Sequence, residues 1–156
     1  MTILRSSLIV LAFTACMVAT ASGEGPDSSR PSWFGGGPMM FGFSKDRSTA
    51  FVYSSKISKY VTVSAPDGFD STVVPTNQDN FCVFQTKDAV YAINSSASKW
   101  AVLPNPRHEK VKLGMNKSML MAAFDGSTYM YGRKSSEWTG ISSETGKPIE
   151  DTVNGE

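Results

Sequence analysis

Between Met39 and Ile141 short apolar runs rich in Val, Ile and aromatic residues alternate with clusters of Ser, Asn, Asp, Lys and Gly, and no stretch carries helical periodicity. That pattern predicts strands joined by tight turns. The clearest case is Ala89 to Ile93, followed by turn-forming Ser95, Ser96 and Ser98 and by a second strand from Lys99 to Leu103 that Pro104 and Pro106 end. The same layout appears at Thr49 to Tyr53 with Lys59 to Val63, and at Thr128 to Tyr131 with Glu137 to Ile141. Each pair has a strand before it: Met39 to Phe43, Phe81 to Gln85, and Met119 to Phe124. The joining turns are Ser44 to Ser48, Thr86 to Asp88, and Asp125-Gly126, the last a strong hairpin dipeptide. Ser71 to Val74 and Lys110 to Leu113 can each add one more strand, giving up to four antiparallel strands per unit.

The units recur at a fixed distance. Phe51, Val90 and Tyr129 stand 39 residues apart, and Tyr60, Trp100 and Trp138 stand 40 and 38 apart. A period of that size marks a repeat architecture. The expected fold is therefore all-β and antiparallel, with about three propeller-blade-like repeats over residues 39–141; a duplicated β-meander or a sandwich gives the same local pattern. The stretch from Val90-Tyr91-Ala92 to Trp100-Ala101-Val102-Leu103-Pro104-Asn105-Pro106-Arg107 resembles a kelch repeat, in which an aromatic strand, a polar turn and a Trp strand lead into a Pro-rich connection ending in Arg. Kelch units close the preceding strand with Gly-Gly, where this chain holds Val83-Phe84 and Ala122-Ala123. The resemblance implies a propeller-like arrangement of sheets and a binding scaffold before it implies chemistry.

The ends have a different character. Residues 1–21 combine Arg5, an apolar Leu8 to Phe13 and small residues ending Ala19-Thr20-Ala21, which predicts a secretory signal peptide. The apolar run is too short for a bilayer-spanning helix. Phe13-Thr14-Ala15-Cys16 resembles a lipobox, so the expected destination is secreted or periplasmic, with lipid anchoring to the cell envelope through Cys16 as the alternative. Residues 22–38 read as a Gly/Pro/Ser-rich linker in which Trp33-Phe34 docks on the sheet, and residues 142–156 read as a polar C-terminal tail. The whole chain of 156 residues carries 15 Lys and Arg against 14 Asp and Glu. Without Arg5 the balance is even, and nothing in it recommends nucleic acid or an anionic membrane as a partner.

Groups for catalysis are scarce. His108 is the sole His, set between Pro106-Arg107 and Glu109 in a predicted connection, where a solvated loop residue is expected. There is no His pair, CxxC or EF-hand spacing, and Gly35-Gly36-Gly37 lacks the strand-to-helix setting of a phosphate loop, so no metal, cofactor or catalytic residue is assigned. Once the signal is removed Cys82 is the one thiol left, and Phe81, Val83 and Phe84 around it predict a buried, inert side chain. Asn94 and Asn116 each begin an N-glycosylation pattern. Tyr60, Trp100 and Trp138 are the candidate ligand-binding residues, because flat aromatic faces at equal intervals suit sugar rings; wedging between adjacent sheets is the plainer use of the same side chains.

These features predict an exported, non-enzymatic binding or assembly module, with a glycan or an envelope protein as the kind of ligand. A carbohydrate-binding module is the alternative. A hydrolase or oxidase fragment using carboxylates such as Asp67, Asp70 or Asp79 is the second alternative. Three repeats are fewer than the roughly four to eight blades of closed propellers, which predicts a homo-oligomer, most simply a dimer.

Overall fold

The computed structural model describes residues 33–65 and 67–149; the signal segment, Cys16, most of the linker and the end of the tail lie outside the described residues. Thirteen strands and no helix are found among them. They form three separate antiparallel meanders, none closed into a barrel. Sheet I comprises β1 (Trp33–Gly36), β2 (Met39–Phe43), β3 (Thr49–Ser54) and β4 (Lys59–Ser64). Sheet II comprises β5 (Thr76–Gln78), β6 (Phe81–Gln85), β7 (Ala89–Asn94) and β8 (Ala101–Pro104). Sheet III comprises β9 (Lys112–Met115), β10 (Met119–Phe124), β11 (Ser127–Gly132) and β12 (Thr139–Ser142), with β13 (Pro148–Ile149) paired beyond β12.

The three units share one pairing register. The second and third strands pair from Met39↔Ser54 in sheet I, from Phe81↔Asn94 in sheet II and from Met119↔Gly132 in sheet III. Backbone bonds outside the ladders repeat in step: Ser55 donates to Pro38, Ser95 to Asn80 and Arg133 to Ser118. At the other end Ala65 donates to Ser48, Asn105 to Asp88 and Ser143 to Gly126. This register corrects one spacing. The position in sheet II equivalent to Phe51 is Tyr91, not Val90, so Phe51, Tyr91 and Tyr129 form a set spaced like Tyr60, Trp100 and Trp138. Val90 points to the opposite face, since neighbours along a strand alternate.

Alternation also explains how the sheets stack. On β6, Cys82 and Phe84 belong to a core with Met39, Phe41, Phe43, Val52 and Val61 of sheet I, while Phe81 and Val83 belong to a second core with Leu120, Ala122 and Tyr131 of sheet III. On β7, Ile93 faces the first core and Val90 and Ala92 the second. Sheet II is thus apolar on both sides and buried on both, which accounts for the unbroken apolar runs of β6 and β7. In the first core Phe84 stacks on Tyr91 at 4.7 Å and meets Phe41, Phe43, Phe69 and Trp100 at 5.2 to 5.9 Å between ring centres.

Two elements differ from the pattern-based expectation. Ser71 to Val74 is not a strand: Val73 packs into the first core, and β5 starts only at Thr76. The reason is Arg47, whose Nε donates to Phe69 O at 2.8 Å and whose Nη2 donates to Asp70 O at 2.6 Å and Val73 O at 3.3 Å, holding that connection as a loop. Its guanidinium also sits 4.0 Å above the Phe43 ring. Within the Gly/Pro/Ser-rich stretch β1 supplies the expected docking of Trp33-Phe34, pairing Trp33↔Gly42 and Phe34↔Phe41. The second difference is at the C-terminal side, where β13 lies inside the stretch read as tail, pairing Ile141↔Pro148. Neither short segment carries a periodic pattern of its own; each is defined by the edge it completes.

Because Phe84 is fully buried at the centre of five rings, Phe84→Ala is expected to cost about 3 to 5 kcal/mol, read as a shift in urea midpoint with little change in slope. A loss below about 1 kcal/mol would show that sheets I and II do not share this core.

Candidate functional surfaces

Tyr60, Trp100 and Trp138 occupy the same place in the three sheets, at the start of the fourth strand. Their surroundings differ. Trp100 is buried between sheets I and II and donates its indole N–H to Val61 O at 3.3 Å; Trp138 is buried between sheets II and III and donates to Ala101 O, also at 3.3 Å. Val61 and Ala101 are themselves equivalent positions, so each Trp ties its own sheet to the sheet before it by the same bond. Both rings wedge between sheets. Among the described residues no sheet precedes sheet I, and Tyr60 is 62% exposed, its ring 5.1 Å from Tyr53 and 6.4 Å from Phe51.

A second tie between sheets comes from Tyr131, fully buried, whose hydroxyl accepts from Asn94 N at 3.3 Å and Asn94 Nδ2 at 3.0 Å. Burial pushes the Tyr131 phenol above its usual value, and the two bonds from Asn94 oppose that shift. Asn94 Nδ2 also donates to Ser135 O at 2.8 Å. The amide is therefore buried and engaged, which removes Asn94 as a glycosylation acceptor in the folded chain; Asn116 stays exposed on a turn.

The titratable candidates sit in the connections. Asp67 and Asp70 line a cleft of about 860 Å³ with Lys87, Asp88, Glu109 and Lys110, between the β4–β5, β6–β7 and β8–β9 connections. Asp79 is apart from it, in the β5–β6 turn. The Asp70 carboxylate accepts from Thr72 N and Thr72 Oγ1, both at 2.7 Å, and these bonds hold it below the ordinary carboxylate range. It acts as a turn cap. Among the described residues no group of three or more His, Cys, Asp or Glu could hold a metal ion. Below the cleft, buried Asn105 fastens the β8–β9 connection: Nδ2 donates to Glu109 O at 2.8 Å, and Oδ1 accepts from Glu109 N at 3.0 Å.

His108 is exposed, with Nδ1 3.1 Å from Asp88 Oδ1, and has φ of 54°. The equivalent turns after β4 and β12 place Gly68 and Gly146 at φ of 73° and 67°. His108 therefore holds a position that its two counterparts give to glycine. Cys82 is fully buried in the first core, and burial pushes its thiol up.

Exposed apolar residues, among which Tyr60 alone is a sequence-based candidate, emerge on the two end faces of the stack. On sheet III Met119, Met121, Met130 and Ile141 lie on the face away from sheet II and are 37% to 41% exposed. On sheet I Met40 and Tyr60 lie on the face away from sheet II and are 48% and 62% exposed. A signal was present in β10, Met119-Leu120-Met121-Ala122-Ala123-Phe124, which is apolar on both faces as β6 is. Unlike β6, it has one face covered and one open. Neither a protein-family model nor a curated protein matches the chain in sequence.

Two outcomes follow from these placements. Relative to its unfolded value of about 8.5, the folded Cys82 thiol keeps its proton to higher pH, so stability is expected to fall as pH rises above about 8.5. Denaturation midpoints between about pH 7 and 9.5 should show that fall in the wild type and a flatter profile in Cys82→Ala. Native labelling of Cys82 by a thiol reagent should be far slower than labelling in denaturant; equal rates would contradict its burial. Separately, His108→Gly is expected to change stability by less than about 0.5 kcal/mol, because relief of the left-handed backbone offsets the lost exposed contact. His108→Val should cost about 1 to 2 kcal/mol in the same urea assay.

Proposed function

We propose that the protein is an exported, non-enzymatic binding or assembly module whose working surfaces are the two open faces of the three-sheet stack. The observation that carries this reading is register. Met119, Met121, Met130 and Ile141 of sheet III correspond position for position to Phe81, Val83, Ala92 and Leu103 of sheet II, all four of which lie in the core between II and III. Met40, Tyr53 and Tyr60 of sheet I correspond to Cys82, Ile93 and Trp100, all three in the core between I and II. The end faces thus carry the apolar pattern of an internal contact at positions that are partly open, and open apolar faces of this kind are interaction sites in soluble proteins. The kelch-like Trp strand and Pro-rich connection point the same way, toward a scaffold of stacked sheets.

A glycan reading rests on a narrower footing, the exposed ring of Tyr60 beside Tyr53, since Trp100 and Trp138 are covered. An enzymatic reading has Asp67 and Asp70 in the shared cleft and lacks Asp79 from it.

The test uses protein taken gently from cells or medium that contain it, sized without concentration. The expected result is an assembly larger than the chain, with an intact mass starting near Ser22, and a shift to the free-chain size for Tyr60→Lys and for Met130→Lys. A free-chain size for the wild type, unchanged by either substitution, would overturn the reading; a mass beginning at acylated Cys16 would replace secretion by lipid anchoring.

A further inference from the structure

We infer that the partner of these faces is a second copy of the chain, joined head to tail, with the open face of sheet III seated on the open face of sheet I of the other copy. The inference rests on the assembly reading above and specifies its partner. Its ground is continuity with the two contacts already built inside the chain. The relation that carries sheet I to II also carries II to III: the same face of each sheet receives its successor, and the same Trp N–H bonds the preceding sheet at Val61 or Ala101. Applied once more, it presents Met119, Met121, Met130 and Ile141 to a sheet whose facing positions are those of Leu120, Tyr131 and Trp138. In sheet I those positions are Met40, Tyr53 and Tyr60, of which Met40 and Tyr60 are exposed and Tyr53 is half-buried.

The two faces are complementary without being alike. One is methionine-rich and adaptable, the other is aromatic, and sulfur against ring is a favourable contact. Pairing sheet III on sheet III or sheet I on sheet I would break the relation used at both internal contacts, whereas III on I preserves it. Closure fixes the number of copies. Propellers close with about four to eight sheets, and multiples of three in that range include only six, so two chains complete a ring in which both open faces of both copies are used. In sheet III the added strand β13 lies beyond β12 at the edge of the sheet, so it extends the sheet and leaves the stacking face clear.

The experiment is light scattering after size-exclusion of the purified protein over a dilution series from about 100 to 0.1 micromolar, a range that spans common homodimer affinities. The wild type is expected at twice the chain mass, dissociating at the low end. Tyr60→Lys and Met130→Lys are each expected at the single-chain mass with the wild-type thermal transition retained, because both side chains are exposed. Mixing these two variants should restore a two-chain species, since one of its two contacts is then unmutated on both sides; an additional variant, Val74→Lys, on an exposed loop position away from both faces, should remain two-chain. A single-chain wild type at all concentrations overturns the inference. If the same protein is large in native material, the faces bind something other than a second copy; if it is single there too, the assembly reading fails with it. Loss of association in Met130→Lys alone would mean that sheet III pairs with itself, and would overturn the head-to-tail arrangement.

Discussion

Everything in this fold depends on sheet II being buried on both faces. A single antiparallel sheet is stable with one covered side and alternates apolar with polar residues accordingly; sheet II gives up that alternation and so cannot stand alone in water. Sheets I and III are what cover it. Their own ladders are local, each closed within a few tens of residues, but the cores that Phe84 and Tyr131 anchor exist only when meanders stack. Stability is therefore shared between neighbours, as in repeat proteins, and the two contacts are the cooperative elements of the structure.

Polar ties set the geometry that the apolar cores leave free. Apolar faces alone tolerate sliding, because burial is non-directional. The indole bonds from Trp100 to Val61 and from Trp138 to Ala101 remove that freedom, as do the bonds of Asn94 to Tyr131 and Ser135. At the opposite ends of the strands, Arg47 and Asn105 satisfy carbonyls of the long connections, so Phe69 and Val73 can be held against the core by a loop with no ladder of its own. Gly37 contributes a closer constraint: with φ of 64°, a Cβ there would lie 2.6 Å from Asp79 O, so the β1–β2 turn rests directly on the backbone of the β5–β6 turn.

The all-β class, the three units and the equivalence of Tyr60, Trp100 and Trp138 were legible because period-two apolar runs and Asp-Gly or Ser-rich turns are local signals. What escaped is non-local. Val73 reads as a strand residue in isolation and is a loop residue because Arg47, 26 positions earlier, takes its carbonyl. β13 exists because an edge was available for pairing. For the candidate surface, apolar residues on both faces of β10 were visible in the sequence; that one face is covered and the other open could be known only once the stacking order placed sheet III at an end.

The open face of sheet III differs in composition from the faces covered within the chain. Among the described residues the internal contacts are made mainly of Phe, Val, Ala, Ile, Leu, Tyr and Trp, side chains with few rotamers, with Met39 the one methionine fully buried among them. At the end of the stack the corresponding positions turn to Met, three of the four exposed large hydrophobics on that face of sheet III. Methionine tolerates water better than a wall of Phe would, and its three rotatable bonds let it settle against a surface that arrives already folded. A face left open to solvent can use that adaptability, whereas a face filled by its own chain is fixed by packing. The shift toward methionine at equivalent positions is thus the compositional difference between the faces covered within the chain and the open face of sheet III.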